Sequence, residues 1–124
     1  QKTEQNVTVL YDLKGYDEIS LTGTTKALSR NSERVLTPAD FGVKQLQATQ
    51  ISGGSSVASS AEIFMNVIQN KGTEAQQNVV CANTGMALAT ALNLSPIEGF
   101  EKAKESILSG KAFTALSTLQ NLSK

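Results

Sequence analysis

Asp17 and Glu18 stand side by side just past Gly15-Tyr16, and hydroxyl residues follow at Ser20, Thr22, Thr24 and Thr25. Adjacent carboxylates in a turn offer hard oxygen donors. Mg²⁺ takes one or two carboxylates and fills its other positions with water or substrate phosphate oxygens, so the pair has the chemistry of a magnesium site. A solvated acidic pair closing a turn is the commoner meaning of such spacing, and the pair alone does not choose between them.

Other chemistries are more sharply bounded. The chain has no histidine, which removes any Ser-His-Asp triad, Cys-His pair or His-ligated zinc built from this chain alone. Cys81 is the single cysteine, so no internal disulfide can form, and no imidazole is present to activate it. It reads as a packed core thiol in a reducing compartment, with the cytoplasm as the expected location. Gly53-Gly54-Ser55-Ser56 could cradle an anion at a helix start, but it lacks the lysine and the spacing of a P-loop. A tight turn followed by a helix cap is the expectation there.

Composition narrows the partners. At 124 residues the chain is one ordinary domain or a piece of one, and 40% hydrophobic content suits a buried core. Eleven basic and eleven acidic residues cancel, so no net field draws it to nucleic acid or to an anionic membrane. No apolar run approaches the roughly 18 residues that read as a bilayer span. Neither nucleic acid nor membrane is expected as a partner.

The elements that must position the acidic pair follow from periodicity. Residues 6–12 hold strand formers at Val7, Val9, Leu10 and Tyr11. Two more short extended segments are expected over 25–29 and 34–36, joined by the polar loop Arg30-Asn31-Ser32-Glu33. Thr37-Pro38-Ala39-Asp40 predicts a capped helical turn stopped by Gly42. Residues 43–51 have no firm pattern and read as a loop with some extended character. Beyond Gly54 the period becomes helical, with Val57, Ala61, Phe64 and Ile68 on one face, Val67 beside them, and Lys71-Gly72 as the stop. Thr73-Glu74-Ala75-Gln76 opens a helix to about Leu92 that is apolar almost all round and reads as the central buried helix, with Gly85 admitting a close neighbour. Ser95-Pro96-Ile97-Glu98 opens another, lined by Ile97, Phe100, Ala103 and Ile107. A last helix carries Ala112, Phe113, Leu116 and Leu119. The fold class expected is α/β, a few short strands followed by about four helices.

The run Gly15-Tyr16-Asp17-Glu18-Ile19-Ser20-Leu21-Thr22-Gly23 resembles the G-x-D-E-x-S-x-T-G segment of the anthranilate phosphoribosyltransferase family. Leu36-Thr37-Pro38-Ala39-Asp40-Phe41-Gly42 resembles the L-x-P-x-D-[FL]-G segment that follows in that family, and Gly53-Gly54 its Gly-Gly before a helix. The helices around Asn78-Val79-Val80 and Ser109-Gly110-Lys111-Ala112 fit its C-terminal part. The resemblance covers nearly all of the chain from about residue 7. It implies a nucleoside-phosphorylase-like α/β fold, with residues 7–124 its C-terminal portion, residues 1–6 a cut end or linker, and the helical domain and first part of the α/β domain absent.

The family joins anthranilate to 5-phosphoribosyl-1-pyrophosphate (PRPP) in tryptophan biosynthesis, releasing pyrophosphate, with Mg²⁺. The resemblance therefore implies that Asp17 and Glu18 hold a Mg²⁺ against the pyrophosphate. The family's glycine-rich pyrophosphate loop and anthranilate-binding arginine lie N-terminal to anything here, and Arg30 and Arg34 match neither. Two departures stand out: Tyr11-Asp12 replaces the usual His-Gly, and Ser55 replaces the usual acid after Gly-Gly. A non-catalytic interaction module of the same fold and a pyrimidine nucleoside phosphorylase relative are the alternatives. Few strands cannot cover an apolar helix such as 73–92, so the piece on its own is expected to bury its strand edge and apolar faces against a second copy as a homodimer. Sedimentation at tens of micromolar reads this directly, and a stable compact monomer would refute it.

Overall fold

A computed structural model describes residues 6–123. Its strands are β1 (Thr8–Asp12), β2 (Thr25–Ser29) and β3 (Glu33–Leu36), and its helices are α1 (Val57–Ile68), α2 (Glu74–Leu92), α3 (Pro96–Leu108) and α4 (Lys111–Leu122). The strands form one antiparallel sheet in the order β1-β2-β3, with Asp12 opposite Thr25 and Thr25 opposite Leu36. Side chains alternate across such a sheet. Leu10, Asp12, Thr25, Ala27 and Leu36 turn to the helices, while Val9, Tyr11, Leu28 and Val35 stay exposed on the other face. The expected α/β arrangement of short strands and four helices is the one observed. Residues 1–5 of the expected cut end lie outside the described residues, and Asn6 precedes β1.

The caps read from sequence are in place. Ser56, Thr73 and Ser95 each accept a bond from the backbone N–H at the third helical position of α1, α2 and α3. Thr37 and Asp40 close a reciprocal box around a 3₁₀ turn at Pro38–Phe41, and Gly42 ends it at φ 70°. Residues 43–51, expected as a loop, contain a further 3₁₀ turn at Ala48–Ile51 in which the Gln50 side chain accepts from the Gln47 N–H.

The core sits where α2 and α3 cross beneath the sheet. Ile19, Leu21, Leu36, Phe41, Cys81, Met86, Phe100 and Ile107 are buried together, and the Phe41 and Phe100 rings tilt against each other at 6.3 Å. The crossing depends on two glycines. A Cβ on Gly85 would lie 2.6 Å from the Phe100 nitrogen, and one on Gly99 would run into the Gly85 carbonyl. The close approach expected at Gly85 is thus real.

Two expectations fail for one reason. α2 is not buried all round: Ala75, Cys81, Ala82, Gly85, Met86 and Ala89 are covered, whereas Val80 and Leu92 are 40% and 57% exposed. Nor does α1 bury the stripe of Val57, Ala61, Phe64 and Ile68. Val67 is its buried residue, Ile63 packs beside it, and Val57 is 89% exposed. Periodicity identifies an apolar stripe but not what covers it. Of the expected α3 face, Phe100, Ala103 and Ile107 are buried and Ile97 is only partly covered. Among the described residues no helix is long and apolar enough to cross a membrane.

These contacts have measurable consequences. Gly85→Val forces two backbones apart and should cost about 1–3 kcal/mol or more in a urea denaturation series. Burial pushes the Cys81 thiol up to about 11, so it should react negligibly with a disulfide reagent at pH 8 when folded and fully once denatured. Bonds from the Thr37 backbone and hydroxyl hold the Asp40 carboxyl below its ordinary range, and those from the Ser95 hydroxyl and backbone do the same for Glu98. Both values are lowered by folding. Their contribution should be complete above the ordinary carboxylate range and be lost as pH falls through the lowered values, seen as a declining thermal midpoint in acid.

Candidate metal centre

Residues 13–24 form an excursion between β1 and β2, and its neck is closed by the Asp12–Thr25 pair and a 2.9 Å bond from Leu13 N to Thr24 O. Asp12 sits at the neck, fully buried. Its carboxyl accepts from Lys14 N at 2.7 Å, Ser20 N at 3.1 Å, the Ser20 hydroxyl at 2.8 Å and the Thr25 hydroxyl at 3.3 Å. Gly15 takes φ 88°, a value that needs no Cβ, and its N–H closes a turn onto the Asp12 carbonyl. One side chain thereby ties both ends of the excursion together.

The far limb is pinned to the body. Leu46 N donates to Leu21 O and Gln45 Nε2 to Thr22 O, each at 2.9 Å. Leu21 is held at φ 58° with its side chain only 1% exposed. A left-handed leucine costs about 1–2 kcal/mol, so the anchoring on both sides is what keeps it there. Asn83, from the middle of α2, accepts from Ile19 N at 2.9 Å and donates to Ile19 O at 2.8 Å.

Asp17 and Glu18 crest this loop, exposed, and among the described residues no hydrogen bond or ion pair engages either carboxylate. Glu18 also borders a groove of ≈ 460 Å³ with Leu10, Asn83 and Ala87. Three of the four hydroxyls that seemed available from sequence do not join the pair. Ser20, Thr22 and Thr25 are buried, and their oxygens are spent on Asp12 and on one another, with Ser20 Oγ and Thr22 Oγ1 2.8 Å apart. Among the described residues no group of three or more His, Cys, Asp or Glu side chains could hold a metal. Two adjacent, uncommitted carboxylates on a fixed loop still suit Mg²⁺, which dehydrates reluctantly and shares its shell with water and substrate oxygens.

The remaining sequence candidates lie elsewhere. Tyr11 points out from the other face of the sheet, 60% exposed. Arg30 and Arg34 border an adjoining cleft with Asn31, Met86 and Asn93, which neither acid lines. Gly53-Gly54-Ser55-Ser56 is a turn and a cap: Gly54 has φ 91°, Ser56 caps α1, and the Ser60 hydroxyl returns to Gly53 O at 2.6 Å. Sequence reasoning missed Asp12 and Asn83. An aspartate three residues before a glycine is a turn signature that could have flagged the first. Nothing local marks the second.

Residues 2–113 match the family model described as "Glycosyl transferase family, a/b domain". The chain belongs to that family. Among curated relatives it is 60% identical over 124 residues to the anthranilate phosphoribosyltransferase of Christiangramia forsetii, a match that takes in 100% of this chain and 38% of the relative. The family resemblance read from the Asp-Glu segment is borne out. Of solved structures, the anthranilate phosphoribosyltransferase of Saccharomyces cerevisiae in complex with PRPP and Mg superposes with a TM-score of 0.80 at 21% identity, covering 90% of this chain and 33% of that one. The same yeast enzyme in complex with 4-fluoroanthranilate also gives 0.80 at 21% identity, covering 90% and 34%. The chain thus spans little more than a third of the length of the proteins it matches, and at that identity the superpositions establish the fold.

Removing the Asp12 carboxyl should undo the loop before the body. Asp12→Ala leaves buried Ser20 and Thr25 donors without acceptors at about 1–3 kcal/mol each. Hydrogen exchange should rise first in residues 14–22, ahead of α2 and α3, and a uniform rise throughout would refute this ordering.

Proposed function

We propose that this chain is the C-terminal portion of an anthranilate phosphoribosyltransferase, which transfers phosphoribosyl from PRPP to anthranilate in tryptophan biosynthesis. The observation that carries the reading is the display of Asp17 and Glu18, adjacent and uncommitted, at the crest of a loop tied by Asp12. Support comes from a relative 60% identical over the whole of this chain and from a yeast structural neighbour solved with PRPP and Mg.

In this reading Asp17 and Glu18 hold Mg²⁺, which neutralises the charge that builds on departing pyrophosphate. Their part is to bind and orient: they sit between stretches of the loop that are hydrogen-bonded at Lys14-Gly15 and at Ile19-Ser20, which limits the reordering needed when substrate arrives. Anthranilate's amine is itself the nucleophile, so the chemistry asks little of a general base and the lack of histidine is no obstacle. The groups that grip anthranilate and the pyrophosphate tail belong to the parts of the enzyme outside this chain. The same reading places the enzyme in the cytoplasm, and has the 124-residue chain on its own pair with a second copy to cover its strand edge and apolar faces.

The test is Mg²⁺-dependent loss of anthranilate fluorescence in the full-length protein, its Asp17→Ala/Glu18→Ala variant and the 124-residue chain. The expected pattern is an active parent, a double variant reduced roughly 10²–10³-fold in kcat/KM, and a silent fragment. A parent indifferent to losing both acids would return the pair to a solvated turn. An inactive parent would favour an interaction module or another substrate.

A further inference from the structure

The segment that carries the two acids is the least supported stretch of its own loop. Upstream, Lys14 N and Gly15 N are bonded to Asp12. Downstream, the nearest anchor is Ile19, directly after Glu18, and both of its peptide groups are met by one side chain, that of Asn83. Between these anchors the backbone N–H groups of Tyr16, Asp17 and Glu18 make no hydrogen bond among the described residues. The direction in which the Asp17 and Glu18 peptides leave the body is therefore set by how Ile19 is held.

Asn83 is built for that task. Its Nδ2 also donates to Val79 O at 3.0 Å, one turn back on α2, which fixes the rotamer before Ile19 is engaged. The amide then presents an acceptor and a donor side by side to Ile19 N and O, in the manner of a neighbouring β-strand. Only a carboxamide of this length supplies both. Aspartate would keep the acceptor and turn a second oxygen toward the Ile19 carbonyl, and leucine would supply neither. The Ile19 side chain is itself 2% exposed, so packing and the amide clamp act on one residue. Asn83 is only partly buried and shares the groove that Glu18 borders, so it is not simply a core polar group seeking a partner.

We propose that Asn83 is a positioning residue for the metal-bearing segment: it touches neither metal nor substrate, and by clamping the Ile19 peptide it aims the Asp17–Glu18 pair. The proposal rests on the phosphoribosyltransferase reading and deepens it. Residues that orient metal ligands from outside typically contribute 10–100-fold in metal affinity or activity.

The experiment compares full-length wild type, Asn83→Leu, Asn83→Asp and Asp17→Ala/Glu18→Ala by activity against Mg²⁺ concentration and by hydrogen exchange without metal. For both Asn83 variants the Mg²⁺ concentration giving half-maximal rate should rise roughly 10-fold or more. Excess Mg²⁺ should restore most of kcat, KM for anthranilate should stay within about twofold of wild type, and exchange should quicken at the bonded amides of Ile19 and Ser20 alone. The double acid variant should not be restored by Mg²⁺. A double variant with normal activity overturns the functional reading. Normal Mg²⁺ dependence or unchanged exchange in the Asn83 variants, beside a crippled double variant, overturns this proposal and leaves that reading standing. Unfolding of both Asn83 variants, or a loss that Mg²⁺ does not restore, also overturns it, by making Asn83 a determinant of the fold at large.

Discussion

A carboxyl group with no access to water is tolerable only where donors replace the water, and Asp12 imposes that condition on everything around it. Four donors meet it, from residues up to 13 positions away. They can do so only if the chain leaves β1, turns at Gly15, returns at Ser20 and re-enters the sheet at Thr25. The loop is thus the shape that satisfies one buried group. This reverses the role that the hydroxyls suggest on paper: Ser20, Thr22 and Thr25 are the internal scaffold that frees the neighbouring acids to face solvent.

The second constraint is the closeness of α2 and α3. Because Gly85 and Gly99 let the two backbones touch, α2 has little freedom to slide or roll, and whatever it presents to the loop is held with the same precision. Asn83 lies two residues before Gly85 on that helix, and Thr90 reaches the Thr8 hydroxyl of β1 at 2.8 Å. The helix thereby joins the core to the start of β1 and to the excursion. The strained Leu21 fits this picture, since its backbone is bonded to Leu46 while its side chain fills the core.

What could be read from sequence was whatever depends on neighbours within a few residues. The boxes at Thr73-Gln76 and Ser95-Glu98, the turn at Thr37-Asp40 and the hairpin around Asn31 are all set by local hydrogen bonding, and all are where they were expected. The Asp-Glu pair was legible for the same reason, as a contiguous pattern. Asp12 and Asn83 were not. The meaning of Asn83 lies in a partner 64 residues away, and that of Asp12 in a closed loop visible only once the strands pair. α2 is apolar almost all round, so its pattern does not single out the buried side; the contact between Gly85 and Gly99 decides it. The turn at Ala48–Ile51 escaped because a glutamine-capped 3₁₀ turn leaves no hydrophobic period.

The exposed apolar surface completes the argument about the site. Val9, Tyr11, Leu28 and Val35 line one face of the sheet, and Val57 and Phe64 lie bare on α1. The Lys26–Glu33 ion pair crosses the same sheet face, but so many bare apolar side chains are costly to leave in water and ordinarily mark a surface that something covers. The acids are incomplete in a parallel sense. Two carboxylates can fill only part of an octahedral Mg²⁺ shell, and no third acidic, histidine or cysteine ligand joins them among the described residues. A metal held there would owe its remaining bonds to water and to the oxygens of its substrate. In the proposed reading the pair would therefore hold the ion weakly by itself and more firmly once phosphate oxygens share it.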